Sequence, residues 1–439
     1  MHPTRVLLVG FLFIFCTAEL MFSETNIRME LENFLYAHYT QEEPEETGNR
    51  WGYGGISALG IHITPEFVFK ENFQMDALIN SYLTKKYDGQ HLSMNIREVF
   101  IDLLFYNHFS LKSGFLKMDY GFQNNHFHPL SAVDLLKEFR DLYGAIAPAE
   151  QNKGFKGVPG ARVQISLPEY ISGLNISIGQ TVTFFDFNTQ TGYSFEHFER
   201  NFFLSQLSVS WINIDAAIIS GWSGTSLSNR PSSYEVDEIA RYEKRPVYGG
   251  ALGIILPFQF AFFWESTIKT ESWRSYVENN EVKNYRNDSD YYINSDMRLE
   301  WSKLIKTHSL NLAGEYFYYG EGGTSKKYDQ VYSYIIENTT DNSLYGADLP
   351  EDILLPQRSF YHYALFSGAY SEKVTQITAK LQAVYALKQK ISEYTFTVSK
   401  DLQTVTMFLQ FSKIFCKEKY RMLYNNKTFN AVFGINMVL

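Results

Sequence analysis

The sequence predicts an all-β membrane protein: one transmembrane up-and-down antiparallel barrel of about eighteen strands, with a loop folded into its lumen. Three observations carry this. Polar and apolar residues alternate in segments about ten residues long, the length a tilted strand needs to cross a bilayer. The connections switch between very short and long, which sorts turns to one side of a membrane and loops to the other. The last segment places Phe429, Ala431, Phe433, Ile435, Met437 and Leu439 on one face. An apolar end of that kind has the form of the signal read by the outer-membrane assembly machinery.

Composition agrees. The 439 residues are 45% hydrophobic, and they include 36 Phe and 31 Tyr. No stretch approaches the roughly 20 continuous apolar residues of a membrane-spanning helix. The aromatics recur near predicted strand ends, as in Tyr316-Phe317-Tyr318-Tyr319, where girdles at the two interfaces would place them. A net charge of -9 argues against nucleic acid as a partner, since that needs a basic footprint. The partners expected are outer-membrane lipids, the assembly machinery and small polar solutes or ions.

Residues 1–23 read as a secretory signal. Arg5 supplies the charge, Val6 to Phe15 the apolar region, and Ala18 or Ser23 the cleavage position. Phe15 stands where a lipoprotein signal needs a small residue before Cys16. Cleavage leaves Cys416 alone, so no internal disulfide forms. Residues 24–439 form a single barrel domain, with no repeat or linker to divide them.

The strands follow in order. The first runs near Ile27 to Tyr39 and the second near Trp51 to Ile63, with a tight turn at Thr64-Pro65-Glu66 leading into the third. The fourth (Leu92 to Phe105) turns at Asn107-His108 into the fifth (Phe109 to Gly121), and a long excursion to about Gly157 follows. Further short turns fall at Pro168, near Asn213, at Pro257, near Lys306, at Ser371-Glu372-Lys373 and at Lys400-Asp401. The long connections include Glu321 to Gln357. In the strand after Lys373, Ile377, Ala379, Leu381, Ala383 and Tyr385 share one face, and Gln376, Thr378, Lys380 and Gln382 the other. Leu381, Phe411 and Phe433 are expected to meet lipid, and Gln382, Gln410 and Asn436 water.

The residues Leu111 to Gly121, then Phe127-His128-Pro129-Leu130 to Leu136, with Arg97-Glu98 on the preceding strand, resemble the alginate-export and related substrate-selective porin families. The resemblance implies a monomeric barrel of about eighteen strands with a loop at its constriction. Tyr120 replaces the family's usual Trp and the strand is poorer in arginine, so uronate selectivity does not carry over.

Charges on alternating strands are the candidate pore residues. A charge on the lipid face costs about 2–4 kcal/mol near the midplane, so Glu98, Asp102, Lys117, Asp119, Arg162, Asp296, Arg298, Glu300 and Glu315 are expected to line the lumen. In the long excursion, Ser131 reads as a helix N-cap and Asp134 as its third residue. That helix presents Leu135, Leu136 and Phe139 on one side, and Lys137, Glu138, Arg140 and Asp141 on the other. Folded inward, it would narrow the pore.

Little points to catalysis or metal. Glu98 and Asp102 are about 13 Å apart on a strand, too far for a glycosidase pair. His126-Phe127-His128 reads as a solvated stretch, and no Gly-x-Ser-x-Gly nucleophile motif occurs. No cofactor, metal site or enzymatic activity is expected. The function expected is that of a diffusion channel. Its rivals are a closed barrel acting as an adhesin, for which the Tyr-, Asn- and Asp-rich loop Glu321 to Gln357 is the best feature, and a transporter of hydrophobic compounds.

Overall fold

The computed structural model describes residues 24–40, 51–70, 73–86, 92–105, 108–116, 122, 127, 158–168, 171–183, 203–225, 243–270, 276–278, 281–283, 291–338, 359–417, 419–420 and 427–438. The first half of the barrel comprises β1 (Glu24–Thr40), β2 (Trp51–Lys70), β3 (Phe73–Lys86), β4 (Leu92–Phe105), β5 (Phe109–Leu116), β6 (Val158–Ser166), β7 (Leu174–Thr183), β8 (Phe203–Trp211) and β9 (Ile214–Thr225). The second comprises β10 (Glu243–Leu256), β11 (Phe260–Lys269), β14 (Tyr292–Ile305), β15 (His308–Tyr319), β16 (His362–Glu372), β17 (Ile377–Ala386), β18 (Ile391–Leu402), β19 (Val405–Phe415) and β20 (Lys427–Val438). A hairpin of β12 (Tyr276–Glu278) and β13 (Glu281–Lys283) stands apart from the main sheet.

Each barrel strand pairs antiparallel with the next, and β20 pairs with β1 from Val438↔Glu30 to Phe429↔Tyr39. The eighteen-stranded sheet therefore closes on itself. Closure leaves no strand edge without backbone partners, a requirement in lipid, where an unpaired N–H or C=O has no water to turn to.

Side-chain alternation sorts the two faces. Leu299, Leu312, Phe366, Leu381, Phe396, Phe411 and Phe433 are exposed on the outside. Their neighbours along the chain, among them Arg298, Asn311, Ser367, Gln382, Thr395 and Ser412, point inward. Aromatics gather at both outer rims. Tyr316 meets His362 Nδ1 at 2.8 Å and Tyr385 donates to the Tyr394 hydroxyl at 2.8 Å on one side, while Tyr370 meets His308 Nδ1 at 2.7 Å on the other. The run Tyr316 to Tyr319 is only half girdle: Phe317 and Tyr319 face inward and are buried.

Several expected boundaries move. Pro65 is not a turn but lies within β2, opposite Thr25 of β1. The β2–β3 ladder lapses between Ile61↔Ser81 and Glu66↔Asp76, the stretch that holds the proline, which has no N–H to give. The turn expected at Lys400-Asp401 falls at residues 403–404, because both residues continue β18. Val374, Thr375 and Gln376 form the turn before β17 and do not start the strand. Tight hairpins need positive φ, and here Ile212, Phe258, Lys306, Gln376 and Gln403 supply it, at 50° to 62°.

Short turns on one rim and long loops on the other orient the barrel with its short turns toward the periplasm. In a Cys416→Ser background, a cysteine at Lys326 should react with an impermeant maleimide on intact cells. One at Thr404 should react only after the outer membrane is opened. Equal labelling would contradict the orientation.

Candidate functional site

The site is the lumen, and a segment crossing it defines its shape. β5 ends at Leu116, short of the expected Gly121. The next described residue is Phe122, whose N–H donates to the Glu265 carboxylate of β11 and whose ring lies 5.2 Å from that of Phe263. Gly253 makes room for this ring: a Cβ there would come within 3.0 Å of it. Phe127 follows, fully buried, with its N–H donating to Glu315 Oε1 at 3.0 Å and its ring stacked 4.6 Å from that of Phe317 on β15. β15 is the eighth barrel strand beyond β5 (β6 to β11, then β14 and β15) in a ring of eighteen. Leu116 and Phe127 therefore sit on nearly opposite walls, with Phe122 against β10 and β11 between them, and these three points define a strap.

The landing wall is charged and covered. Glu265 and Asp296 have no exposed surface, and Glu315 is 4% exposed. Arg298 bridges Glu300 at 3.2 Å and Glu315 at 3.0 Å. Asp296 stands opposite Glu265 in register, and neither of its carboxylate oxygens has a hydrogen-bond partner. A buried, unpaired carboxylate beside two others is destabilising. Asp296→Asn should therefore raise the unfolding temperature in detergent; a lower one would show that the carboxylate is needed. Towards the outer rim, Lys269 donates to Glu321 Oε2 at 2.9 Å, Asn294 donates to the same oxygen at 2.8 Å, and Asn294 Oδ1 accepts from the Gly320 N–H.

The wall from β4 to β10 differs. Among its described inward side chains the only charges are Asp102, Lys112, Arg162 and Asp215, two of each sign. Asp102 accepts from Ser110 Oγ at 2.6 Å and lies 3.6 Å from Lys112 Nζ, and Arg162 donates to Gln206 Oε1 at 2.8 Å. The rest combine hydroxyls, amides and small residues with apolar side chains such as Phe100, Leu116, Leu204 and Ile219. Gln164, Ser166, Asn175, Ser177, Ser208 and Ser210, with Leu167, Ile176 and Val209, line a cavity of about 470 Å³ beside Phe122.

A helix, α1 (Ser325–Asn338), packs at the outer end. Thr324 Oγ1 accepts from the Lys327 N–H at 3.3 Å, as an N-cap does. Tyr328 and Val331 form its buried face; Tyr328 meets Phe360 and Tyr420 at 5.6 and 5.0 Å and donates to Lys419 O at 2.8 Å. Burial, with Cys416 and Tyr420 nearby, pushes the Tyr328 phenol up, so it stays a neutral donor. The buried cluster runs on through Tyr363, Tyr319 and Phe317 to Phe127. Helix and strap thus share one aromatic core.

Of the residues singled out from sequence, Asp102 and Arg162 stand on the β4–β10 wall on either side of Lys112, and Arg298 and Glu300 pair on the charged one. Glu98 lies in β4 opposite Asn80. Lys117, Asp119, Lys137, Glu138, Arg140 and Asp141, and with them the expected Ser131 helix, lie outside the described residues. Gln382 and Gln410 point inward as expected but are buried at 7% and 3% exposure, so they pack rather than line water. Phe127, read as solvated between its histidines, is fully buried. The loop offered as an exposed adhesive surface begins instead as α1, docked on the aromatic core. Sequence reasoning also missed Glu265, although it alternates with Thr267 and Lys269 opposite Trp264 and Ile268, the pattern that identified the other wall charges.

No protein-family profile matches this sequence, and no curated protein matches it either. Solved structures do resemble it. OccAB1 of Acinetobacter baumannii superposes with a TM-score of 0.53 at 11% identity, covering 95% of this chain and 97% of that one. Wzi, an outer-membrane carbohydrate-binding β-barrel involved in group 1 capsule assembly in Escherichia coli, gives 0.52 at 10%, covering 96% and 86%. OmpF of Salmonella typhi, solved with daunomycin, gives 0.52 at 9%, covering 94% and 97%. At such identities the likeness is one of fold: this chain has the architecture of outer-membrane β-barrels.

Proposed function

We propose that the protein is a bacterial outer-membrane porin through which small polar solutes and ions diffuse. The observation that carries this is the closed eighteen-stranded barrel with an apolar outside and a polar inside, strapped by Leu116 to Phe127. A polar lining is what a water path through the barrel needs. A channel of this kind calls for no catalytic group or cofactor.

Residues 1–23 act in this reading as a cleaved export signal, and the C-terminal strand is recognised during assembly. The strap's continuation carries Lys137, Glu138, Arg140 and Asp141 into the lumen, where they face Glu98, Asp102, Lys117, Asp119 and Arg162 around the constriction, with Arg298 and Glu300 on the wall beyond. The residues resembling the alginate-export porins are those around the strap. The kinship we propose is one of strap placement and leaves out uronate as the solute.

The purified full chain in a planar bilayer should give stepwise, ohmic single-channel currents. The balanced charges of the β4–β10 wall predict a reversal potential near zero in a KCl gradient. Absence of current would favour a closed, adhesive barrel. Strong cation selectivity would show that ions pass along the carboxylate wall.

A further inference from the structure

We propose that the cavity beside Phe122 is a binding step for an uncharged, polyhydroxylated solute of mono- or disaccharide size. This rests on the channel reading above and names the class of solute. The volume of about 470 Å³ falls within the range of small-molecule sites. Its polar lining is neutral apart from one carboxylate: Gln164, Ser166, Asn175, Ser177, Ser208 and Ser210. A serine hydroxyl rotates to donate or accept, and an amide does both from fixed positions. Such a lining matches a ring of hydroxyl groups, each of which also donates and accepts. The Ser177 and Ser208 hydroxyls, 2.6 Å apart, already exchange one such bond across the β7–β8 pair.

The carboxylate is Asp215, and Ser210 already donates to it. Glu265, Asp296 and Glu315 of the facing wall are buried and outside this lining, the first and last of them held by the Phe122 and Phe127 N–H groups. An anionic solute entering here would give up hydration without a cation in the lining to replace it. A neutral sugar loses less and regains hydroxyl partners. Phe122 supplies the other half of sugar chemistry, a flat apolar surface for the C–H face of a ring. Its position is fixed twice, by Glu265 on its N–H and by the notch at Gly253.

The test is calorimetric titration of the full chain in detergent with sucrose and, separately, with gluconate, alongside bilayer recordings with each solute. Sucrose should bind and interrupt the current in a dose-dependent way, and gluconate should do neither at equal concentration. Asn175→Ala combined with Ser208→Ala should weaken sucrose binding about tenfold in a barrel that still assembles and gives stepwise KCl currents. Currents with no sucrose binding, or gluconate binding the tighter, would overturn the proposal. Sucrose binding by a barrel that passes no current would uphold the site and overturn the channel reading.

Discussion

Arginine at Leu381 should stop this chain from assembling, while arginine at Ser399, on the neighbouring strand, should not. Leu381 lies mid-way along β17, opposite Gly368 and Phe396, and is 55% exposed on the outer face. A guanidinium there meets hydrocarbon at a cost of about 2–4 kcal/mol near the midplane, and the leucine's own transfer to lipid is lost. Ser399 faces inward opposite Thr378 and Phe408, half-buried towards the periplasmic rim, where a long basic side chain reaches water. The assay is the heat-modifiable shift of the folded barrel on gels of outer-membrane fractions. Leu381→Arg should give no folded band and Ser399→Arg a normal one. Matching behaviour would place the register of β17 or β18 one residue off, which would turn every side chain to the wrong face.

Releasing the strap should raise single-channel conductance severalfold. Phe127 is the main anchor: its fully buried ring stacks on Phe317 and its N–H is held by Glu315. Phe127→Ala removes about 3–5 kcal/mol of such burial, but no barrel ladder depends on that ring. The barrel should assemble while the strap lifts from the wall. Gly253→Val tests the same point independently, since its side chain would occupy the space of the Phe122 ring. Both variants should fold and conduct more than the parent, as should deletion of Leu130 to Tyr143. Unchanged conductance in all three would mean that the strap does not narrow the path.

What was legible in the sequence follows from where the physics is local. Lipid on one face forbids charge there, so alternation alone sets strand number, most registers and the inward position of Arg298 and Glu300. Turn positions are less legible near the aqueous rim, where polar residues suit strand and turn equally. That is why Lys400 and Asp401 passed for a turn while the chain ran on to Leu402. Proline misled at Pro65, because a strand accepts it where a ladder lapses. α1 was read as loop because its buried stripe is built on Tyr328 and Val331 within a polar tract. The strap was the least legible. Nothing local to His126-Phe127-His128 reports a partner 188 residues away.

The most direct test of the strapped lumen is a cross-link. Cysteines at Phe122 and Phe263, in a Cys416→Ser background, should be joined by a short bis-maleimide in the assembled barrel, because the two rings lie 5.2 Å apart and the Phe127 anchor stays in place. A pair at Phe122 and Lys112, on the wall the strap leaves, should remain unjoined. Linkage to position 112 and none to position 263 would contradict a strap that crosses the lumen.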